Sequence, residues 1–275
     1  GVEVLVSVLI SVYIKEKAKN LEEALESIIN QTLLPTELVL VKDGPLNETL
    51  DNVIAVYEKK FMKKGIDFKQ VALEDNKGLS VALNEGLKLC TCEYIARMDS
   101  DDISDKERLN LQLEFLENNK DIAAIGSDIV EFVEKGKVLR VKKMPVEHEK
   151  LYKYAKLRNP LNHMSVVFRK QVVESLGGYI HLPYLEDYYL WSRLLARGEK
   201  ISNISKPLVW ARVDRDFAAR RGGFAYFKNY MLLRKKQREI KFTNFFEYIL
   251  GVTVCAGMVL QPKFIRNIFY SILRR

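Results

Sequence analysis

Apolar and polar positions along the first hundred residues alternate between short β-branched runs and longer stretches with helical spacing. That alternation is the pattern of strands joined by crossover helices. Val4 to Tyr13 predicts a buried strand, and Leu21 to Gln31 a helix with Asn20 as its N-cap and Glu23 as capping-box partner. Leu38 to Lys42 predicts a second strand. A helix from about Glu48 to Lys64 follows, with Asn47 at its cap and Gly65 as its stop. Ile66 to Leu73, Leu79 to Leu89 and Tyr94 to Met98 continue the series as strand, helix and strand. The expected product is a parallel, doubly wound sheet.

After Met98 the pattern changes. A helix from about Lys106 to Asn118 leads into Ile122 to Val133, and Glu134-Lys135-Gly136-Lys137 turns the chain into Val138 to Val141. This predicts an antiparallel hairpin added to the parallel sheet. Helices are expected near Glu147 to Leu157, Lys170 to Leu176 and Tyr188 to Ala196, with strands at Ser165 to Phe168 and Pro207 to Val213. Three helical stretches close the chain: Phe217 to Lys241, Phe245 to Leu260 and Lys263 to Leu273. The fold class is α/β, with one domain over residues 1–215 and a helical tail over 216–275. Residues 1–105 form its first, ligand-binding half and 106–215 its second.

Position gives the acidic residues their interest. Asp99-Ser100-Asp101-Asp102 directly follows an apolar strand, and ligands of open α/β sheets bind beyond the carboxyl ends of the strands. Carboxylates there can reach a hard divalent cation and bridge it to a diphosphate; the plainer reading is a solvated turn that caps the next helix. Tyr13, Asp43-Gly44 and Asn76-Lys77-Gly78 end neighbouring strands on the same edge. Asp43 suits a base N–H, Tyr13 the flat face of a base, and Lys77 a phosphate. Glu186-Asp187 precedes a helical stretch containing Trp191; a carboxylate there either caps the helix or acts as general base for a hydroxyl acceptor. His163 is read as a structural histidine or as a contact to phosphate, metal or acceptor.

Charge separates the tail from the rest. Residues 216–275 hold twelve Lys/Arg against three Asp/Glu, so the entire net charge of +8 is accounted for there. An anionic partner for the tail follows. Its apolar run Tyr248 to Leu260 is shorter than a bilayer span, so basic amphipathic helices on an anionic membrane surface are expected. The alternative is packing on the α/β domain or in a homo-dimer. Three cysteines, Cys90, Cys92 and Cys255, match neither a disulfide framework nor zinc spacing, which fits structural thiols in a reducing cytosol. No segment has the build of a signal peptide.

Five segments in order resemble the family 2 glycosyltransferases of the GT-A fold, in particular bacterial enzymes of capsule, exopolysaccharide and lipopolysaccharide assembly. They are Val6 to Tyr13, Leu38 to Gly44, Asn76-Lys77-Gly78-Leu79 with Ala82 and Asn84-Glu85-Gly86, Met98 to Asp102, and Leu185-Glu186-Asp187. The resemblance implies that Ser11, Tyr13 and Asp43 hold the base of a nucleotide sugar, usually a UDP-sugar, with Lys77 near phosphate. Asp99 would meet ribose or diphosphate, Asp101 would bind Mn²⁺ or Mg²⁺, and Asp187 would be the general base of an inverting transfer. His163, Glu186, Trp191 and Arg212 remain candidates for acceptor or phosphate, the acceptor being a glycan or lipid-linked hydroxyl. The enzyme would sit in the cytoplasm, on the inner face of the plasma membrane.

The chain departs from the family at Val12, Ile14 and Leu83. Leu83 stands where an arginine is frequent, which passes phosphate contacts to Lys77, Arg212 or Arg215. Two competing readings are a sugar nucleotidyltransferase and a nucleic-acid-binding protein. The first resembles enzymes with a glycine-rich loop after strand one, and residues 11–17 contain no glycine. The second leaves the carboxylates of the sheet edge unused, and no nucleic-acid partner is expected.

Overall fold

The structure, a computed structural model, describes residues 5–213 and 224–259. Its first half follows the predicted series: β1 (Val6–Val12), α1 (Ala18–Ile29), β2 (Glu37–Lys42), α2 (Glu48–Lys63), β3 (Asp67–Ala72), α3 (Leu79–Leu89) and β4 (Tyr94–Asp99). Strands β3, β2, β1 and β4 lie side by side and parallel in that order. The chain steps outward from β1 to β3 and then returns to β4 on the other side of β1. That reversal opens a crevice at the carboxyl ends of β1 and β4.

Burial on both faces explains why β1 reads as a continuous apolar run and not as an alternation. Val6, Val8, Ile10 and Val12 pack with α1 and α2, while Leu9 faces the other way, toward α3 and the later helix that carries Trp191. Fully burying each such side chain contributes roughly 1.5–3 kcal/mol. Leu83 is buried on that second face, so the family's arginine position is used here for packing.

The second half adds β5 (Ile103–Ser104), α4 (Arg108–Asn118), β6 (Ile122–Glu134), β7 (Lys137–Lys142), α5 (His148–Ala155), β8 (Val167–Arg169), α6 (Lys170–Ser175), α7 (Glu186–Ala196) and β9 (Lys200–Arg212). The sheet runs β3-β2-β1-β4-β8-β6-β9-β5, with β7 paired to β6 as the predicted antiparallel hairpin. Strand β8 is antiparallel to both β4 and β6 and joins the two halves; β6 and β9 run parallel. Two tail helices follow, α8 (Phe224–Glu239) and α9 (Phe245–Val259).

Several local expectations need correction. Helix α1 begins at Ala18, three residues before the expected start, with Asn20 inside it; Glu16 takes the Lys17 N–H at 2.8 Å and the Asn20 amide at 3.3 Å. Glu23 is no capping partner: it pairs with Arg212 at 2.7 Å. Asn47, by contrast, caps α2 as expected, accepting from Leu50 N–H at 2.9 Å. Strand β9 starts at Lys200, and Pro207 sits inside it at a register irregularity opposite Asp128, where a missing N–H is tolerated. Ser165 closes a 3-10 turn, His163–Ser165, ahead of β8.

The tail divides as well. Arg234, one of the tail's basic residues expected at a lipid surface, is fully buried on the inner side of α8 and donates to the carbonyls of Lys156 (2.6 Å) and Leu157 (2.9 Å). The boundary at residue 215, Arg215 itself and the helix expected from Lys263 to Leu273 lie outside the described residues. All three cysteines are buried free thiols.

Candidate active site

Four strand ends meet where the sequence places its polar residues. Ser11, Tyr13, Asp43, Asn76 and Asp99 to Asp101 line a cleft of about 380 Å³ at the carboxyl edge. Register explains the gathering: Val12 lies beside Lys42 and Ser11 beside Asp99, so β1 and β2 end level, β4 ends one position earlier, and Asp43 follows β2 directly. Asp43 is buried, and its carboxylate accepts the backbone N–H groups of Lys77 (2.7 Å) and Gly78 (3.1 Å). Each oxygen retains a lone pair for a base N–H. Gly44 makes the close approach possible: its φ is +87°, and a Cβ there would stand 2.8 Å from the backbone nitrogen of Asn76.

Lys77 is used differently from the expectation. Its backbone meets Asp43, while its ammonium points to the surface and stands 3.6 Å from Asp75, away from the cleft lining.

Asp99, Asp101 and Asp102 each bring a carboxylate oxygen to within 4.8 Å of the others. They do not cap α4, as the plainer reading had it. Asp102 is buried, accepts the Arg212 N–H at 2.8 Å through one oxygen and leaves the other buried without a partner. Burial, then Asp99 and Glu16, pushes Asp101 up to about 7. Asp102 is raised well above the ordinary carboxylate range by burial and by Asp101. Such crowding of acids is stable only with a cation or a proton nearby.

A second compartment of about 470 Å³ opens beside the first and shares Gly78, Leu79 and Asp99 with it. Asp187, Glu186, His163, His181, Asn159 and Arg212 line it. Asp187 sits in the first turn of α7 and accepts the Asn159 amide at 2.7 Å. Glu186 beside it is buried with one oxygen unpartnered, and burial followed by Asp187 pushes it up to about 7. His163 lies on the wall with Nε2 2.9 Å from the Tyr179 hydroxyl; burial, then Arg97, holds it well below its usual range and therefore neutral. Arg212 reaches back across the junction, donating to the Asp101 carbonyl at 2.9 Å and to Glu23.

Trp191 is not an acceptor contact. It is fully buried in the core, edge-on to the His163 ring at 6.2 Å, and supports that wall from behind.

Reading by motif missed Arg97. This fully buried guanidinium on β4 pairs with Asp99, lines the second compartment and leaves Nε without a partner. Arg108, also buried, donates to the Arg97 carbonyl at 2.7 Å from beneath. An arginine inside the apolar run Tyr94 to Met98 was the available signal, since buried charge in a strand needs a reason. Glu16, which accepts the Ser100 hydroxyl and completes the cleft, had no comparable signal.

The family model described as "Glycosyl transferase family 2" matches residues 7–175. The amylovoran biosynthesis glycosyltransferase AmsE of Erwinia amylovora is 38% identical over 265 residues, covering 96% of this chain and 97% of that protein. The Escherichia coli UDP-Gal:alpha-D-GlcNAc-diphosphoundecaprenol beta-1,3-galactosyltransferase is 33% identical over 271 residues, covering 98% and 96%. Staphylococcus aureus TarS 1-349, solved with UDP-GlcNAc, superposes with a TM-score of 0.64 at 20% identity, covering 84% of this chain and 66% of TarS 1-349. The Pyrobaculum calidifontis mannosyltransferase solved with GDP-Man and Mn²⁺ gives 0.64 at 15% identity, covering 90% and 68%. The architecture is therefore GT-A, and by sequence the chain belongs to glycosyl transferase family 2.

Proposed function

We propose that the chain is an inverting, metal-dependent glycosyltransferase of bacterial surface polysaccharide synthesis. It moves a sugar from a UDP-sugar to a hydroxyl of a glycan or lipid-linked acceptor at the inner face of the plasma membrane. The observation that carries this reading is the shared wall of the two compartments at Asp99, with Asp101 on one side and Asp187 on the other. The named substrates of the E. coli relative, a UDP-sugar and a diphosphoundecaprenol-linked acceptor, support the assignment of donor and acceptor classes.

In this reading Ser11, Tyr13 and Asp43 hold the uracil, and Asp43 does so while the Lys77 and Gly78 N–H groups fix its carboxylate. The unpartnered oxygen of Asp102 and the raised Asp101 fit a hard divalent ion, Mn²⁺ or Mg²⁺, held by Asp101 with its acidic neighbours. Such an ion supplies charge that offsets the negative charge gathering on the leaving nucleoside diphosphate. Arg97 fixes Asp99 at the boundary between donor and acceptor. Asp187, oriented by Asn159, takes the proton of the acceptor hydroxyl. The hydroxyl oxygen then bonds to the anomeric carbon as the bond to the diphosphate breaks on the opposite face, and UDP leaves with the electron pair. One displacement inverts the anomeric centre.

The test is a product analysis across a panel of nucleotide sugars with a diphosphate-lipid acceptor analogue. Release of UDP together with a product of inverted anomeric configuration is expected. Release of pyrophosphate in a parallel reaction given UTP and a sugar 1-phosphate in place of donor and acceptor would favour a nucleotidyltransferase, and retention of configuration would overturn the single displacement.

A further inference from the structure

Helix α9 is buried on one side only. Its inner residues Gly251 and Cys255 rest on α8, and Gly251 leaves room for the Arg234 guanidinium, whose Nε would stand 2.6 Å from a Cβ at that position. The outer side is Phe246, Ile249, Leu250, Thr253 and Val254, a single stripe at helical spacing. Phe246 is 82% exposed and Leu250 50%. The one hydroxyl in the stripe, that of Thr253, is satisfied by the Ile249 and Leu250 carbonyls at 3.0 Å, so the stripe asks no hydrogen bond of water. Scattered exposed apolar residues are ordinary, but a contiguous stripe marks a surface that is covered in use.

The start of the stripe is cationic. Arg238 lies over the Phe245 ring at 5.3 Å, and Phe245 touches Phe246 edge to face. Lys235, Arg238 and Lys241 line a shallow groove there with Glu239, which stands 3.9 Å from Lys235, and with Thr243, whose hydroxyl is buried without a partner; three cations against one acid leave the groove net positive. No helix among the described residues is long and apolar enough to cross a membrane. The last sixty residues, with twelve Lys/Arg against three Asp/Glu, repel a second copy of the same tail and attract an anionic surface. An apolar stripe bordered by basic and aromatic groups suits the boundary between headgroups and acyl chains.

We propose that the outer stripe of α9, with the groove of Lys235, Arg238 and Lys241 at its start, is the face that rests on an anionic bilayer. The aliphatic and aromatic side chains enter the acyl boundary and the basic groups meet lipid phosphates. This rests on the reading of a membrane-borne acceptor and names the surface that meets the membrane.

The experiment is flotation of the full chain, without sugar donor, on equimolar phosphatidylcholine and phosphatidylglycerol vesicles, and on phosphatidylcholine alone. Preference for the anionic vesicles is expected. Arg238→Ala with Lys241→Ala weakens it about 30-fold, each basic group near such a surface contributing roughly fivefold. Phe246→Ser with Leu250→Ser reduces it at least about tenfold by the lost apolar burial, while transfer to a soluble acceptor and thermal unfolding stay unchanged. Equal binding by wild type and both double variants would overturn the proposal. So would light scattering that shows a dimer dispersed by Phe246→Ser with Leu250→Ser in a chain that ignores vesicles. Because binding and transfer are measured separately, loss of the membrane face and loss of the enzymatic reading give different results.

Discussion

At the amino ends of the parallel strands, Glu37 is buried and fully occupied: it accepts from Ser7 and Lys69 at 2.5 Å and from the backbone and hydroxyl of Thr91. At the carboxyl ends, Asp102 and Glu186 are equally buried, and each leaves an oxygen without a partner. The titrations diverge accordingly. Burial pushes Glu37 upward, but its bonds from Lys69, Ser7 and Thr91 outweigh it and the group ends below its ordinary value. Asp101 and Glu186 end near 7. One end of the sheet has satisfied its acid, and the other leaves acids raised and incompletely partnered, the pattern that the proposed ligand site would use.

The largest effect expected from that difference is on rate. Asp187→Asn should lower sugar transfer about 10³-fold, some 4 kcal/mol of barrier, with donor affinity unchanged in equilibrium titration. A matching loss of donor affinity would place Asp187 in the donor cleft instead. At the opposite end, Glu37→Ala should cost about 3 kcal/mol of stability in urea unfolding, because Lys69 and the Thr91 N–H lose their acceptor. Activity per folded molecule should remain. Gly44→Ala should cost about 2 kcal/mol through its left-handed backbone and the approach to Asn76. Displacement of the loop that carries Lys77 and Gly78 should also weaken UDP binding, and wild-type affinity would show that the loop does not position Asp43.

The smallest effect sharpens the contrast through pH. Glu186 is raised in the folded state, so its charged form is a penalty at pH 8 that disappears as pH falls through about 7 toward the unfolded value near 4.5. Glu186→Gln should therefore stabilise by roughly 2 kcal/mol at pH 8, about 5 °C in Tm, and by little at pH 5. Glu37, lowered in the folded state, behaves oppositely: its contribution is present above 4.5 and is lost as pH falls through its folded-state pKa. Equal Tm gains for Glu186→Gln at both pH values would show that Glu186 is not held protonated by its surroundings.

The gathering of Ser11, Tyr13, Asp43 and Asp99 in one cleft was legible because consecutive parallel strands end on one edge, so these residues come together by topology alone. The second compartment draws on segments around Asn159, His181 and Arg212, joined through the antiparallel β8 and the register of β9 against β6. Spacing along the chain carries no trace of those contacts. Lys77 and Trp191 stand away from the places residue type suggests: the Lys77 ammonium lies at the surface beside Asp75, and Trp191 is packed in the core. The buried Arg234 shows the same limit in the tail, where a helix of mostly basic surface turns one arginine inward onto carbonyl groups.

On the proposed function, the crowded acids after β4 would grip the donor diphosphate through a divalent ion. Calorimetric titration of UDP into the protein, with and without Mn²⁺, for wild type and Asp101→Ala, tests it most directly. Wild-type binding should require Mn²⁺ and be lost in Asp101→Ala. Equal UDP affinity with and without the ion, or in both proteins, would contradict it.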